Sequence, residues 1–97
     1  MTYGEAIEAL ERGEMVARLG WNGTGMFVFK QIPATIGLNI IPKMQSVPDS
    51  VKYYLLTNQI TLKYTNQLCL VQADGRVDSW IASSSDTFAD DWITIIS

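Results

Sequence analysis

Three glycines within six residues, Gly20, Gly23 and Gly25, interrupt an otherwise largely apolar run from Met15 to Ile32. Glycine is the poorest helix former after proline, so no continuous helix crosses this stretch. The residues on either side read as strands. Met15, Ala17 and Leu19 alternate with Val16 and Arg18, and Met26 to Ile32 is apolar on both faces except for Lys30 and Gln31. The spacing predicts two neighbouring strands joined by a loop longer than a two-residue turn, and loops of that kind are where binding groups tend to be carried. Within the loop, Trp21 offers a flat aromatic face, and Asn22 beside it both donates and accepts hydrogen bonds.

The rest of the chain adds elements of the same modest length. Thr2-Tyr3-Gly4-Glu5 has capping-box spacing and predicts a helix start. Tyr3, Ala6, Ile7 and Leu10 then fall on one face and Glu5, Glu8, Glu11 and Arg12 on the other, until Gly13 closes the helix. Prolines at 33, 42 and 48 mark a connection or insertion. Ser46 is expected to cap a second helix from Pro48 to about Thr57, with Val51, Tyr54 and Leu55 as its inward stripe. Alternation resumes at Ile60, Leu62 and Tyr64, followed by strands at Leu68 to Val71 and Arg76 to Trp80 around an Ala73-Asp74-Gly75 turn. Ser83-Ser84-Ser85-Asp86 repeats the capping-box spacing ahead of a short helix to Ala89, and Trp92 to Ile96 ends as a strand. The expected fold is α+β: an antiparallel sheet of about six strands with an N-terminal helix and one or two further short helices.

Composition narrows the function. A chain of 97 residues with 47% hydrophobic content is expected to form a single domain, 1–97, and chains of this size often gain stability by oligomerising. Net charge is −3 and the seven basic residues are scattered, which argues against DNA or RNA as partner. No apolar run approaches the roughly 20 residues that span a bilayer, and Met1 leads into an acidic amphipathic segment, so no membrane association is expected. The single cysteine, Cys69, sits in Leu68-Cys69-Leu70-Val71 and reads as a buried thiol in a reducing, cytoplasmic setting. There is no histidine, which removes the usual zinc sites and Ser/His or Cys/His pairs. No catalytic residue, metal or cofactor is assigned.

Each candidate residue has a structural and a functional reading. Trp21 either stacks on a ligand or packs; Asn22 either turns the chain or reads a ring edge or hydroxyl. Gly23 and Gly25 offer backbone N–H groups to an anion. Ser83, Ser84, Ser85 and Asp86 cap a helix, or they present hydroxyls and free N–H groups to an anion, with Asp86, if turned outward, suited to a ribose diol. Arg18 and Lys30 are phosphate partners or edge-strand guards. Trp80 and Trp92 read first as core, and Asp90-Asp91 as solvated carboxylates before acid–base or metal groups. The glycine loop and the Ser79–Asp86 segment are expected to meet around a pocket for a small polar ligand that bears a ring.

The combination Tyr3-Gly4-Glu5-Ala6-(x3)-Leu10, Val16-Ala17-Arg18, Gly20-Trp21-Asn22-Gly23-(x)-Gly25-Met26, Ala73-Asp74-Gly75, Trp80, Ser83-(x2)-Asp86 and Ala89-Asp90-Asp91-Trp92 resembles a family of small phage and prophage proteins. Some members are Thoeris anti-defence proteins of the second described group. The resemblance implies a non-enzymatic sponge that holds, without degrading, a cyclic ADP-ribose isomer made by bacterial TIR-domain enzymes, in some members together with cyclic dinucleotides at a separate site. It also implies a homo-oligomer, a dimer or tetramer, with nucleotide pockets at subunit interfaces in the host bacterial cytoplasm. By matching positions, Trp21, Asn22 and Phe27 would line the base side, and Trp80, Ser83 and Asp86 would face ribose and phosphate. Two alternatives stay open: a small cyclic-nucleotide hydrolase using Asp86, Asp90 or Asp91, and a protein-interaction module built on exposed tryptophans.

Overall fold

The computed structural model describes residues 1–21 and 25–96. The chain forms two compact units, one made of 1–31 and 67–97 and the other of 32–66.

The first unit is a five-stranded antiparallel sheet carrying a helix on one face. Helix α1 spans Tyr3–Glu11 and starts on the expected capping box, with Glu5 N–H donating to the Thr2 hydroxyl and Thr2 N–H donating to the Glu5 carboxylate. It ends where Gly13 takes φ +86°, the left-handed conformation that stops a helix at little cost only in glycine. Strands β1 (Met15–Arg18) and β2 (Phe27–Lys30) pair antiparallel, as the interrupted apolar run predicts. The other strands of the unit are β5 (Leu68–Val71), β6 (Val77–Ser79) and β7 (Trp92–Ile95), with helix α3 (Ser84–Phe88) between the last two. The sheet order is β6-β5-β2-β1-β7, so the C-terminal strand lies beside β1 and not beside its sequence neighbour.

Register divides the side chains between two faces, because residues opposite each other in an antiparallel pair share a face. Val16, Val28 and Trp92 join Ala6, Ala9 and Leu10 of α1 in the buried core, with Leu68 and Leu70 packed against it. The other face carries two apolar rows, one of Ile93, Ala17, Phe27 and Val71 beside Val77, the other of Ile95, Met15, Phe29 and Cys69. Cys69 is buried there, as its apolar neighbours predict. Among the described residues no buried side-chain nitrogen or oxygen lacks a hydrogen-bond partner.

The second unit occupies the proline-marked stretch. Strands β3 (Ala34–Ile36) and β4 (Leu62–Tyr64) pair antiparallel, and a 3₁₀ turn (Ile41–Lys43) and helix α2 (Asp49–Thr57) lie between them in sequence. Ser46 does not cap α2: Pro48 is its N-cap, in extended backbone, with its carbonyl accepting from Val51 and Lys52 N–H. Proline's fixed φ and missing N–H suit that position as well as the first turn. Of the expected inward stripe only Leu55 is buried, while Val51 and Tyr54 are exposed.

Candidate functional site

The site is assembled where the last rung of β1 and β7 ends. Arg18 stands opposite Trp92 on the α1 side of the sheet. Leu19 N–H then donates to Asp91 O at 3.1 Å, and Trp21 N–H donates to Arg18 O at 3.3 Å, turning the chain toward Trp92. Trp80 arrives from the far edge, its N–H donating to Leu68 O at 2.9 Å.

These routes bring three indoles together. Trp21 lies 5.6 Å from Trp92 and 6.3 Å from Trp80 between ring centroids, and Trp80 lies 5.9 Å from Trp92, each pair edge to face. Tyr3 adds a fourth ring at 5.5 Å from Trp92. Edge-to-face pairs set the positive rim of one ring against the negative face of the next and contribute about 0.5–1.5 kcal/mol each beyond area burial. Trp92 is 1% exposed and belongs to the core, whereas Trp21 and Trp80 are half-buried at its edge.

A polar wall adjoins the rings. The Trp92 indole N–H donates to Asp86 O at 2.9 Å, anchoring α3 to the cluster. Ser83 caps α3 reciprocally: Asp86 N–H donates to the Ser83 hydroxyl oxygen, and Ser83 N–H and O–H both donate to Asp86 Oδ2. The other Asp86 oxygen accepts from Arg18 Nη1 at 2.9 Å, while Arg18 Nε donates to Asp91 Oδ1 at 2.9 Å. Asp91 Oδ2 accepts from Gly20 N–H at 3.1 Å.

This network sets the ionisation of its members. Burial pushes the Asp86 carboxyl up, but the hydrogen bonds from Ser83 and Arg18 outweigh it and leave the pKa below the usual carboxylate value. The hydrogen bond from Arg18 likewise holds Asp91 low, helped by Gly20 N–H. Arg18 is raised in turn by Asp91 and then Asp86. Burial, with the Asp86 charge, raises the Tyr3 phenol.

The structure therefore brings together Trp21, Trp80, Ser83, Asp86 and Arg18, which are far apart in sequence. Asp86 faces Ser83 and Arg18 and does not turn outward. Ser84 and Ser85 are the first two residues of α3 and are exposed. Gly25 takes φ +86° ahead of β2, close enough to β5–β6 that an added Cβ would stand 3.7 Å from Ala73 Cβ. Beside it an open depression of about 260 Å³ is lined by Met26, Gln72, Ala73, Asp74 and Arg76 and shares no residue with the tryptophan cluster. Phe27 stands on the opposite face of the sheet from Trp92, so a single chain does not bring it to Trp21. Lys30 is ion-paired with Glu11 of α1. Asn22 and Gly23 lie outside the described residues.

Two members of the site were under-read from sequence. Trp92 reads as core, which it is, but it is also the ring on which both other indoles rest. Asp91 reads as a solvated carboxylate, yet it binds two donors that are 73 and 71 residues away. The only local signal was its place just before a strand, and its partners are defined by the non-local β1–β7 pairing. Among the described residues no three His, Cys, Asp or Glu side chains converge as a metal site. The arrangement has the parts of a binding surface: indoles set edge to face and bordered by an arginine, two carboxylates and the Ser83 hydroxyl.

Comparison of the sequence with known proteins identifies a family. The Thoeris anti-defense 2-like domain profile matches residues 1–95. Over 92 residues the chain is 28% identical to Thoeris anti-defense 2 of Bacillus phage SP01, covering 95% of this chain and 91% of that protein. With its whole helix-on-sheet body and tryptophan cluster inside the matched span, the chain belongs to the Thoeris anti-defense 2-like family.

Proposed function

We propose that this protein binds and sequesters a bacterial immune signalling nucleotide of the cyclic ADP-ribose isomer class, without cleaving it, and so blocks Thoeris-type immunity in the host cytoplasm. Cyclic dinucleotides are the second ligand class to test. Family membership supports the anti-defence role. The observation that carries the ligand class is the half-buried pair Trp21 and Trp80 resting on Trp92 beside Ser83, Asp86 and Arg18. A nucleobase presents a π face to an indole, a contact that contributes about 1–3 kcal/mol per base. Ribose and phosphate require donors and acceptors near that face, a part we assign to the further N–H groups of Arg18 and to Ser84 and Ser85, exposed on the first turn of α3.

A signal present at low concentration is neutralised by tight stoichiometric binding, so capture alone suffices. Asp86, through Ser83 and then Arg18, and Asp91, through Arg18, are both held below the usual carboxylate value, which favours a structural and binding role over proton transfer, where a carboxyl poised nearer neutrality works better. Assembly as a homo-oligomer, a dimer or tetramer, belongs to the same reading. The sheet face opposite α1 is apolar along two rows, and Val77 and Ile93 at its edges are exposed. Phe27, on that face, joins a site only through a second copy.

The test is recovery of the ligand. Protein incubated with a cyclic ADP-ribose isomer and then denatured should release it intact, and release of a cleaved product would replace this reading with a hydrolase. Native mass spectrometry of protein from cells with and without an active TIR signalling enzyme should show bound mass only in the former, together with the oligomer order.

A further inference from the structure

We propose that Asp91 is the positioning residue of the site, a carboxylate clamp that fixes the entry of the glycine loop and thereby the place of Trp21 against Trp80 and Trp92. The inference rests on three contacts at one residue. Asp91 O accepts from Leu19 N–H, Asp91 Oδ2 accepts from Gly20 N–H, and Asp91 Oδ1 accepts from Arg18 Nε. Residues 18, 19 and 20 are thus each tied to Asp91 in succession, and the residue that follows is Trp21, whose own N–H returns to Arg18 O. Its ring meets the core only at its edge, so the backbone clamp decides where the indole sits. Asp90, the exposed neighbour, takes no side-chain part in this network.

Chemistry makes the clamp specific to a carboxylate. Both donors facing Asp91, a guanidinium N–H and a backbone N–H, need acceptors, and only an ionised carboxylate presents two acceptor oxygens in that span. Asparagine is nearly isosteric but has one oxygen and one NH₂ group. Whichever way it turns, one N–H confronts another. From the other side, a Cβ at Gly20 would stand 3.2 Å from Asp91 Oδ2, tighter than ordinary contact.

The structural half of this proposal stands without any ligand; its consequence for affinity rests on the nucleotide-binding reading above. The test uses Asp91→Asn, with Asp90→Asn as the matched control and Gly20→Ala as an independent disturbance of the same contact. Far-UV circular dichroism reports exciton coupling among the three indoles, and acrylamide quenching reports Trp exposure, both measured well below the thermal midpoint. Asp91→Asn and Gly20→Ala should each weaken the couplet and raise quenching, Asp90→Asn should do neither, and the double variant should add little to either single one, as coupled neighbours do. Affinity for the cyclic ADP-ribose isomer should fall by at least about ten-fold in Asp91→Asn and stay unchanged in Asp90→Asn. Parent-like coupling and quenching in Asp91→Asn overturn the clamp. If Asp91→Asn fails to fold, Gly20→Ala decides the matter on the same readouts. An altered indole signal in a protein that binds no nucleotide in its parent form leaves the clamp standing and removes only the ligand reading.

Discussion

The indole N–H of Trp92 donates to the backbone carbonyl of Asp86 at 2.9 Å, closing the turn between α3 and β7 with a side chain from the core. One residue thus fills the centre of the helix-on-sheet body and holds the segment that supplies the polar wall of the site. The hydrogen bond is directional where packing is not, so it fixes the orientation of Trp92 and gives Trp21 and Trp80 a fixed ring to rest on.

Trp92→Phe separates these roles. The smaller ring leaves a void in the core and removes the indole donor to Asp86 O, leaving the longer hydrogen bond from Ala89 N–H at 3.4 Å. A destabilisation of about 2–4 kcal/mol is expected in urea unfolding, with the slope of the transition unchanged.

The hydroxyls of the serine run should be unequal. Ser83 exchanges hydrogen bonds with Asp86 as an N-cap, whereas Ser84 and Ser85 are exposed on the first turn. Ser83→Ala is expected to cost about 1 kcal/mol of stability. Ser84→Ala and Ser85→Ala should stay within about 0.5 kcal/mol of the parent by the same unfolding measurement, so any loss of nucleotide affinity in those two variants reports contact with ligand.

Acid should unfold the protein through the Arg18 network. Asp86 and Asp91 both have pKa values lowered in the folded state. Their contribution is therefore complete above the ordinary carboxylate value of about 3.9 and is lost as pH falls through the lower folded values. Arg18→Met leaves the two carboxylates without the cation that lies between them. Its stability should be lower at neutral pH, and mild acidification toward pH 5 should recover part of the loss by protonating one of them. Thermal midpoints of parent and variant between pH 3 and pH 7 check the sign, and parallel profiles would remove the network from the account.

Much of this was legible in the sequence where the signals are local. The two capping boxes at Thr2 and Ser83 are present as spaced, and Gly13 closes α1 at positive φ. Alternation located β1, and apolar runs located β2, β5 and β7. Local patterns were weaker in residues 32–66: Ala34-Thr35-Ile36 is a strand only because Leu62–Tyr64 pairs with it, and three residues after a proline carry no periodicity of their own. The site was legible by residue type but not by arrangement. Trp21 meets Trp80, and Asp86 O accepts from Trp92, yet the ion pairs that join Arg18 to Asp86 and Asp91 depend on β7 lying beside β1. Phe27 illustrates the opposite case, since strand parity sends its ring to the other face from Trp92.

Trp21 should matter more to binding than to folding, the reverse of Trp92. Its ring is half-buried and touches the core through edge-to-face contacts, so Trp21→Ala forfeits those contacts, at about 0.5–1.5 kcal/mol for each aromatic pair, and only part of a full burial term. If its exposed face takes a nucleobase, the same variant also loses stacking of about 1–3 kcal/mol, a fall in affinity of roughly five- to more than a hundred-fold. Trp21→Phe keeps an aromatic face of smaller area and should fall between parent and alanine. Tyr53→Ala provides the control for loss of an aromatic ring, since Tyr53 is 73% exposed on α2 in the other unit. Isothermal calorimetry with a cyclic ADP-ribose isomer reads affinity without relying on the fluorescence of the ring removed, and equal affinity in all four proteins would take Trp21 out of the site.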